Sequence, residues 1–399
     1  MAKVRGVDGR VIDSGLVLWF PGPKSETGED TAEVQLHGGR AVVAAVLAEL
    51  GRLDGFRPAE PGEFTRRAFG NGRLDLTEVE GLADLIYAET EAQRRQAFRQ
   101  LSGALREKAE TWRARLIEAL ALVEAQIDFS DEADVPTTLI GPALQTAQGL
   151  KDEIAAALAD DRRGERLRDG FVVAIAGPPN AGKSSLLNRI ARREAAIVTP
   201  FAGTTRDVIE VHLDLDGLPV TVLDTAGIRE ADDPVEQEGV RRARARAAAA
   251  DLILWVVDAA DASRPVTQHG QGPPVWLIRN KIDLLDSAPQ HPQASEGAAR
   301  PTYAISVLQG LGIDQLIDGL VHHVGQALSL SDTLISRERH RMALTATVQA
   351  LERALGVGER DDLVAEELRL AARALGRLTG RVDVEEILDV VFREFCIGK

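Results

Sequence analysis

The chain has 399 residues, with 47 Lys+Arg against 62 Asp+Glu, a formal net charge of −15, 44% hydrophobic and 27% charged residues. That composition excludes wholesale disorder and collagen- or mucin-type repeats, and the length suits several domains rather than one core. No apolar run approaches the roughly 20 residues of a membrane helix, and the single cysteine, Cys396, has no partner for an internal disulfide. The acidic total argues against nucleic acid wrapped over the whole surface, while leaving room for a local basic patch. The first residues, Met1 to Gly6, lack the apolar stretch of a secretion signal, so a cytoplasmic location without membrane insertion is expected.

Residues 1–75 are rich in Gly and Pro and carry short strand-like segments, Val11 to Phe20 and Thr31 to His37, followed by a helical run from Ala41 to Leu50. They read as a small mixed α/β unit. Across residues 76–168 the apolar positions recur at helical spacing: Val79, Leu82, Ile86, then Phe98, Leu101, Leu105, Trp112, Leu116 and Val123. A further helix is expected from about Pro142 to Arg168. The period changes at Gly170 to Gly177, and residues 169–328 alternate strands (Val220 to Leu223, Leu252 to Val257, Pro274 to Ile278) with helical runs, which implies βαβ units and a largely parallel sheet. Helical periodicity returns over residues 329–399 at Leu344, Val348, Leu351, Leu355, Leu368 and Leu375. The late helices are expected to pack on the early ones, leaving the α/β unit as an insertion; two separate helical domains are the alternative.

Gly177-Pro-Pro-Asn-Ala-Gly-Lys-Ser184 matches the phosphate-binding pattern G-x-x-x-x-G-K-[ST] directly after a strand and before an apolar helix. Its backbone N–H groups and the helix N-terminus suit phosphate, Lys183 suits the β and γ phosphates, and the Ser184 hydroxyl suits Mg2+. Asn280-Lys-Ile-Asp283 decides the base: the Asp283 carboxylate accepts two N–H bonds from the guanine edge, whereas adenine offers an acceptor there. Asp224-Thr-Ala-Gly227 ends a strand, with Asp224 placed to hold the metal through water and the Gly227 N–H to bond the γ phosphate. In Gly203-Thr-Thr-Arg-Asp207 a threonine can complete the metal shell, Thr205 being preferred to Thr204. The nucleotide-binding candidates are therefore Asn180, Ala181, Gly182, Lys183, Ser184 and Ser185, then Thr199, Pro200, Phe201, Ala202, Gly203, Thr204 and Thr205. They continue with Asp224, Thr225, Ala226 and Gly227, then Asn280, Lys281, Ile282 and Asp283, and finally Ser306, Val307 and Leu308. Ile228 stands where signalling GTPases carry the water-orienting glutamine, so a carboxylate of the following acidic segment is expected to take that role. Asn180 either steadies the loop or helps to hold a monovalent cation.

The signatures Gly177 to Asn188, Ala202 to Asp207, Asp224 to Glu230 and Asn280 to Asp283 occur in several GTPase families. The remainder is narrower: Gly22 to Asp30, His37-Gly-Gly39, Pro61 to Phe69 with Asn71 to Leu76, and the terminal Phe395-Cys-Ile-Gly-Lys399. Over nearly its whole length the chain resembles the tRNA-modifying GTPase family called MnmE or TrmE. The resemblance implies a multidomain fold: a small α/β folate-binding and dimerising domain, a helical domain built from two separated segments, and an inserted P-loop α/β GTPase domain. It implies a homodimeric, potassium-stimulated GTPase working with the flavoprotein MnmG (GidA). Together they add an aminomethyl or carboxymethylaminomethyl group at carbon 5 of the wobble uridine of tRNA. The one-carbon unit would come from 5-formyl- or 5,10-methylenetetrahydrofolate. Asn180, Thr199, Phe201 and Thr204 resemble the potassium ligands, Ser184 and Thr205 the Mg2+ ligands, and Glu236 the water-orienting glutamate, with Lys183 and Asp224 beside it. Glu33, Arg73 and Lys399 match the folate site.

Family members usually begin with a further strand-rich segment carrying a folate-contacting arginine. This chain begins after it, so an incomplete first sheet and folate site are expected. Glu26 stands where an aromatic is the family habit. Cys396 reads either as a thiol near the folate pocket or as a small buried hydrophobe. A competing reading is a GTP-controlled RNA-binding or ribosome-assembly factor, whose patch would be Arg162, Arg163, Arg166 and Arg168 or the run Arg241 to Arg246.

Overall fold

The computed structural model describes residues 1–128, 139–160, 162–193, 196–197, 210–224, 250–260, 272–285, 301–328, 333–358 and 360–382. The chain forms two compact units, Met1–Ile86 with Ala97–Leu158 and Arg339–Lys399, and Tyr87–Gln96 with Ala159–Glu338.

The first unit opens with a three-stranded antiparallel sheet, β1 (Ala2–Arg5), β2 (Val11–Phe20) and β3 (Thr31–Gln35), with β2 in the middle. The register sets Ala2 opposite Gly15 and Phe20 opposite Thr31. Helices α1 (Arg40–Leu50) and α2 (Glu63–Gly70) follow, then α3 (Leu76–Ile86), α4 (Glu91–Leu101), whose first six residues count with the second unit, α5 (Ala104–Asp128) and α6 (Ile140–Leu158). A capping box starts α3: Glu78 N–H donates to Asp75 Oδ1 at 2.9 Å, and Asp75 N–H donates to Glu78 Oε2 at 2.7 Å. The apolar stripe of α5 (Leu105, Trp112, Leu116, Val123) is fully buried, and its neighbours are α6 and a late helix, α11 (Asp361–Thr379), whose Leu368 and Leu375 are equally buried. Gln126 Nε2 donates to Asp361 Oδ2 at 2.9 Å across that pair. The helical domain is thus built from segments more than two hundred residues apart, as the periodicity implies.

A charged cluster lies inside this helical core. Glu80 of α3 is 1% exposed and receives the guanidinium of Arg339 and, at 2.9 Å, the Nε2–H of His340; both residues begin helix α10 (Glu338–Gly356) or lie in its first turn. Arg339 also donates to the Leu378 carbonyl at 3.0 Å, at the end of α11 where intrahelical partners run out. Arg341 donates to the Leu158 carbonyl at 2.9 Å.

In the second unit, the seven strands run in the order β10-β9-β8-β4-β7-β6-β5. They are β4 (Phe171–Ala176), β5 (Ala196–Ile197), β6 (Glu210–Leu215), β7 (Leu218–Asp224), β8 (Leu252–Asp258), β9 (Val275–Asn280) and β10 (Thr302–Ala304). β4, β7, β8, β9 and β10 are parallel, while β6 pairs antiparallel with β7 and with β5. The helices are α7 (Arg163–Asp169), α8 (Lys183–Arg193) and α9 (Ile313–Leu328), and the core joins Val173, Ile175, Leu187, Ile190, Leu254 and Leu320. Every residue of β7 is buried, as expected of a central strand covered on both faces.

Three features depart from the sequence reading. The expected helix from Pro142 to Arg168 is broken: Arg162 takes a left-handed conformation (φ 59°), and its N–H and that of Arg163 turn back to Asp160, so α6 and α7 are separate. The structure adds a β6–β7 hairpin to the expected strands; Asp216 and Gly217 both have positive φ (53° and 82°), the Asp-Gly pairing that a two-residue turn favours. Finally, residues 87–96 and 159–168 group with the second unit, because Ala92 N–H donates to the Gly217 carbonyl (3.1 Å), and Gln93 and Gln96 donate to the carbonyls of Arg168 and Gly164 (2.9 Å each). Among the described residues no helix is long and apolar enough to cross a membrane.

Candidate functional site

A parallel sheet gathers the loops after its strands at one edge, and those loops carry the candidate residues. After β4 the chain turns sharply at Gly177 (φ 140°), where a Cβ would lie 2.1 Å from the Val256 carbonyl oxygen of β8. Only glycine fits that approach. Gly177→Ala is therefore expected to distort the loop and weaken guanine-nucleotide binding by about tenfold or more, read by GDP titration. Asn180 also has a positive φ (62°), and Gly182 (φ 96°) would set a Cβ 2.3 Å from Asn280 Nδ2.

Lys183 opens α8 and is 9% exposed; its Nζ donates to the carbonyls of Gly177 (2.9 Å) and Pro178 (2.8 Å). The Ser184 hydroxyl donates to Asp224 Oδ2 at 2.7 Å, joining the phosphate loop to the end of β7, and Asp224 is 2% exposed. A hydroxyl beside a buried carboxylate is a hard oxygen donor set, which fits Mg2+. Among the described residues no three His, Cys, Asp or Glu side chains converge to hold a metal by themselves.

Asn280 ends β9, buried, and binds three loops together: Nδ2 donates to the Ala181 carbonyl (2.9 Å), Oδ1 accepts from Val307 N–H (3.1 Å), and the main-chain carbonyl accepts from Ala259 N–H (2.7 Å). Lys281 adopts a positive φ (66°) and pairs with Asp258 at 2.8 Å. A short 3-10 turn, Ile282–Leu284, follows; Ile282 is buried and its N–H reaches the Ile305 carbonyl at 3.2 Å, which leaves Asp283 on the cavity wall. The next loop closes on buried Ser306, whose N–H meets the Leu311 carbonyl (2.9 Å) and whose hydroxyl accepts from Gln309 N–H (3.1 Å).

These loops border a cavity of about 960 Å³. Gly182, Ser185, Asn280, Lys281, Asp283, Val307 and Leu308 line it, together with Arg189, Arg192 and Arg193 of α8 and Asp314. The sequence reading did not single out Asp258 or these arginines; a carboxylate ending an apolar strand gives no motif, and the arginines read as the polar face of a helix.

Elsewhere, Glu33 lies on β3 opposite Leu18, and Arg73 follows α2 with its Cγ 3.2 Å from the Cβ position on Gly28; no hydrogen bond or ion pair joins the two among the described residues. In the same unit His37 donates both its N–H (2.9 Å) and its Nδ1–H (3.0 Å) to Asp13, and these bonds, with that of Ser14 N–H, hold the Asp13 carboxyl below its ordinary range. Thr199, Pro200, Phe201, Ala202, Gly203, Thr204, Thr205, Thr225, Ala226, Gly227, Glu236, Cys396 and Lys399 lie outside the described residues.

Residues 76–396 match the family model described as the MnmE helical domain, and residues 1–73 that of the GTP-binding protein TrmE N-terminus. The chain is similar to proteins called tRNA modification GTPase MnmE. It is 58% identical over 397 residues to one from Rhodopseudomonas palustris, covering 99% of this chain and 88% of that one. It is 58% identical over 400 residues to one from Bradyrhizobium sp. (100% and 89%), and 56% over 397 residues to one from Parvibaculum lavamentivorans (97% and 87%).

Proposed function

Because the chain belongs to the MnmE (TrmE) family, and is accordingly a GTP-hydrolysing enzyme, we propose that it is the GTPase half of a tRNA-modifying system stimulated by potassium. Working as a homodimer with a flavoprotein of the MnmG (GidA) type, it modifies carbon 5 of the wobble uridine in tRNA, using a one-carbon unit from a reduced folate. The cytoplasm is its compartment. The observation that carries the nucleotide part of this reading is the meeting of four loops at one sheet edge, with Ser184 2.7 Å from Asp224 and Asn280 bridging the phosphate and base loops.

In this reading the backbone of Asn180 to Ser184 cradles the phosphates and Lys183 neutralises the β and γ oxygens. Asp283 accepts the guanine edge, with Lys281 along the base and Ser306 to Leu308 closing the loop around it. Ser184, Thr205 and Asp224, the last through water, would hold Mg2+, which withdraws charge from the phosphates. Asn180, Thr199, Thr204 and the Phe201 carbonyl would hold potassium. Glu236 orients the attacking water in place of the glutamine that Ile228 lacks. Glu33, Arg73 and Lys399 would hold the folate.

Single-turnover GTP hydrolysis tests this. Wild type is expected to hydrolyse GTP and not ATP, faster in potassium than in sodium at equal ionic strength. Glu236→Ala is expected to slow the step by about 10²-fold with GDP affinity unchanged. Equal rates in the two salts, or an unaffected Glu236→Ala, overturn the corresponding assignment. The assembly-factor reading has less support: Arg162, Arg166 and Arg168 are already engaged by Glu165, Asp251 and Asp169.

A further inference from the structure

Just behind the base loop, outside the lining of the cavity, the end of β8 presents a carboxylate that no nucleotide-binding motif includes. Asp258 stands opposite Asn280 in the β8–β9 register, and Ala259 N–H donates to the Asn280 carbonyl at 2.7 Å, so the two strand ends are locked side by side. From there Asp258 Oδ2 accepts from Lys281 Nζ at 2.8 Å and Oδ1 accepts from Ala260 N–H at 3.0 Å. Hydrogen bonds from Lys281, first, and Ala260 hold its carboxyl below the ordinary carboxylate range, so it is ionised at neutral pH.

Lys281 lines the cavity, whereas Asp258 does not. A lysine carries a point charge on a flexible four-carbon stem, and that stem has many rotamers unless something selects one. Here the backbone is already in the left-handed region, and among the described residues the ammonium's partner is Asp258. We propose that Asp258 is a positioning residue for guanine-nucleotide recognition, fixing the Lys281 stem as a wall of the base pocket without touching the nucleotide. It therefore sets affinity and leaves the chemical step alone. This rests on the guanine-nucleotide reading of the site. The competing role is a local one, a cap on Ala260 N–H that merely shapes the turn.

The two roles separate in a double-mutant cycle on the full chain, with GDP and Mg2+ titrated calorimetrically. Asp258→Asn keeps a cap acceptor and removes the charge. It is expected to weaken GDP about tenfold while kcat at saturating GTP stays within about twofold. Placed in a Lys281→Met background, the same change is expected to have no further effect. Unchanged GDP affinity in Asp258→Asn, the result a turn cap alone predicts, overturns the proposal, and so does an equal loss in both backgrounds, which would show a role independent of Lys281. Asp258→Ser, which also keeps a cap oxygen, carries the same cycle if the asparagine variant is not recovered folded. A wild-type chain that binds neither GDP nor GTP overturns the nucleotide reading itself, a result distinct from either of those.

Discussion

Replacing Asp283 with asparagine is expected to lower the affinity for GTP by about 10²–10⁴-fold and to raise that for xanthosine triphosphate. In the proposed reading the guanine N1–H and its exocyclic amine both donate to the Asp283 carboxylate. Charge-assisted bonds contribute about 1.5–3 kcal/mol each, so losing one, weakening the other and setting an amide donor against the 2-amino group costs roughly 3–6 kcal/mol, at 1.4 kcal/mol per decade. Asparagine keeps one acceptor and adds an amide donor, which suits the 2-keto group of xanthine. Because buried Ile282 is pinned through its N–H to the Ile305 carbonyl, the loop itself is expected to survive the change. Competition binding with the two nucleotides checks this, and an Asp283→Asn chain that binds GTP as wild type does would show that the base is read elsewhere.

Glu80→Ala is expected to destabilise the first unit by about 3–5 kcal/mol, since removing one member of a buried ionic cluster leaves the charge of Arg339 without compensation. Urea unfolding followed by hydrogen exchange in α3 and α10 would measure it, and a loss below about 1 kcal/mol would refute it. Acid adds a second signature. Burial alone would raise the Glu80 carboxyl, but the charges of Arg339 and His340 and their hydrogen bonds outweigh it and hold the group far below its ordinary value of 4.5. A group depressed on folding stabilises the native state above its unfolded value and loses that contribution as pH falls toward its folded value. Wild type is thus expected to hold its stability at neutral pH and to lose it progressively below about pH 4.5, whereas Glu80→Gln lacks that part of the acid dependence.

Much of this architecture is legible in the residues, because the signals are local. The change of period at Gly170 marks β4, the apolar stripes of α5 and α11 announce partners for one another, and the phosphate and base loops are short motifs whose chemistry depends on sequence spacing. What escaped depends on tertiary context. β6 is an exception: Glu210 to Leu215 alternates polar and apolar residues as a half-buried strand does, and only its antiparallel place beside fully buried β7 needed the structure. Residues 87–96 look like the start of a helix in the same stripe, yet their polar Gln93 and Gln96 decide where they belong by reaching backbone carbonyls about seventy positions ahead. Glu80 reads as one more solvated glutamate between Val79 and Leu82 until Arg339 and His340 arrive from the other end of the chain. Asp258 is silent in the sequence for a similar reason, since what distinguishes it is the Lys281 ammonium that it meets.

The distance along the chain between Glu80 and its partner Arg339, 259 positions, bears on how the protein is made. At about 5–20 residues per second, the ribosome takes roughly 13–52 s to deliver that arginine after the glutamate has emerged. During that interval Glu80 is without Arg339 and the α5 stripe has no α11 to lie against, while the whole nucleotide-binding sheet is being synthesised. Completion of the helical core therefore waits until the strands of the sheet have been synthesised. A ribosome stalled inside the insertion leaves a nascent chain whose exposed apolar helices are a target for chaperones and proteases.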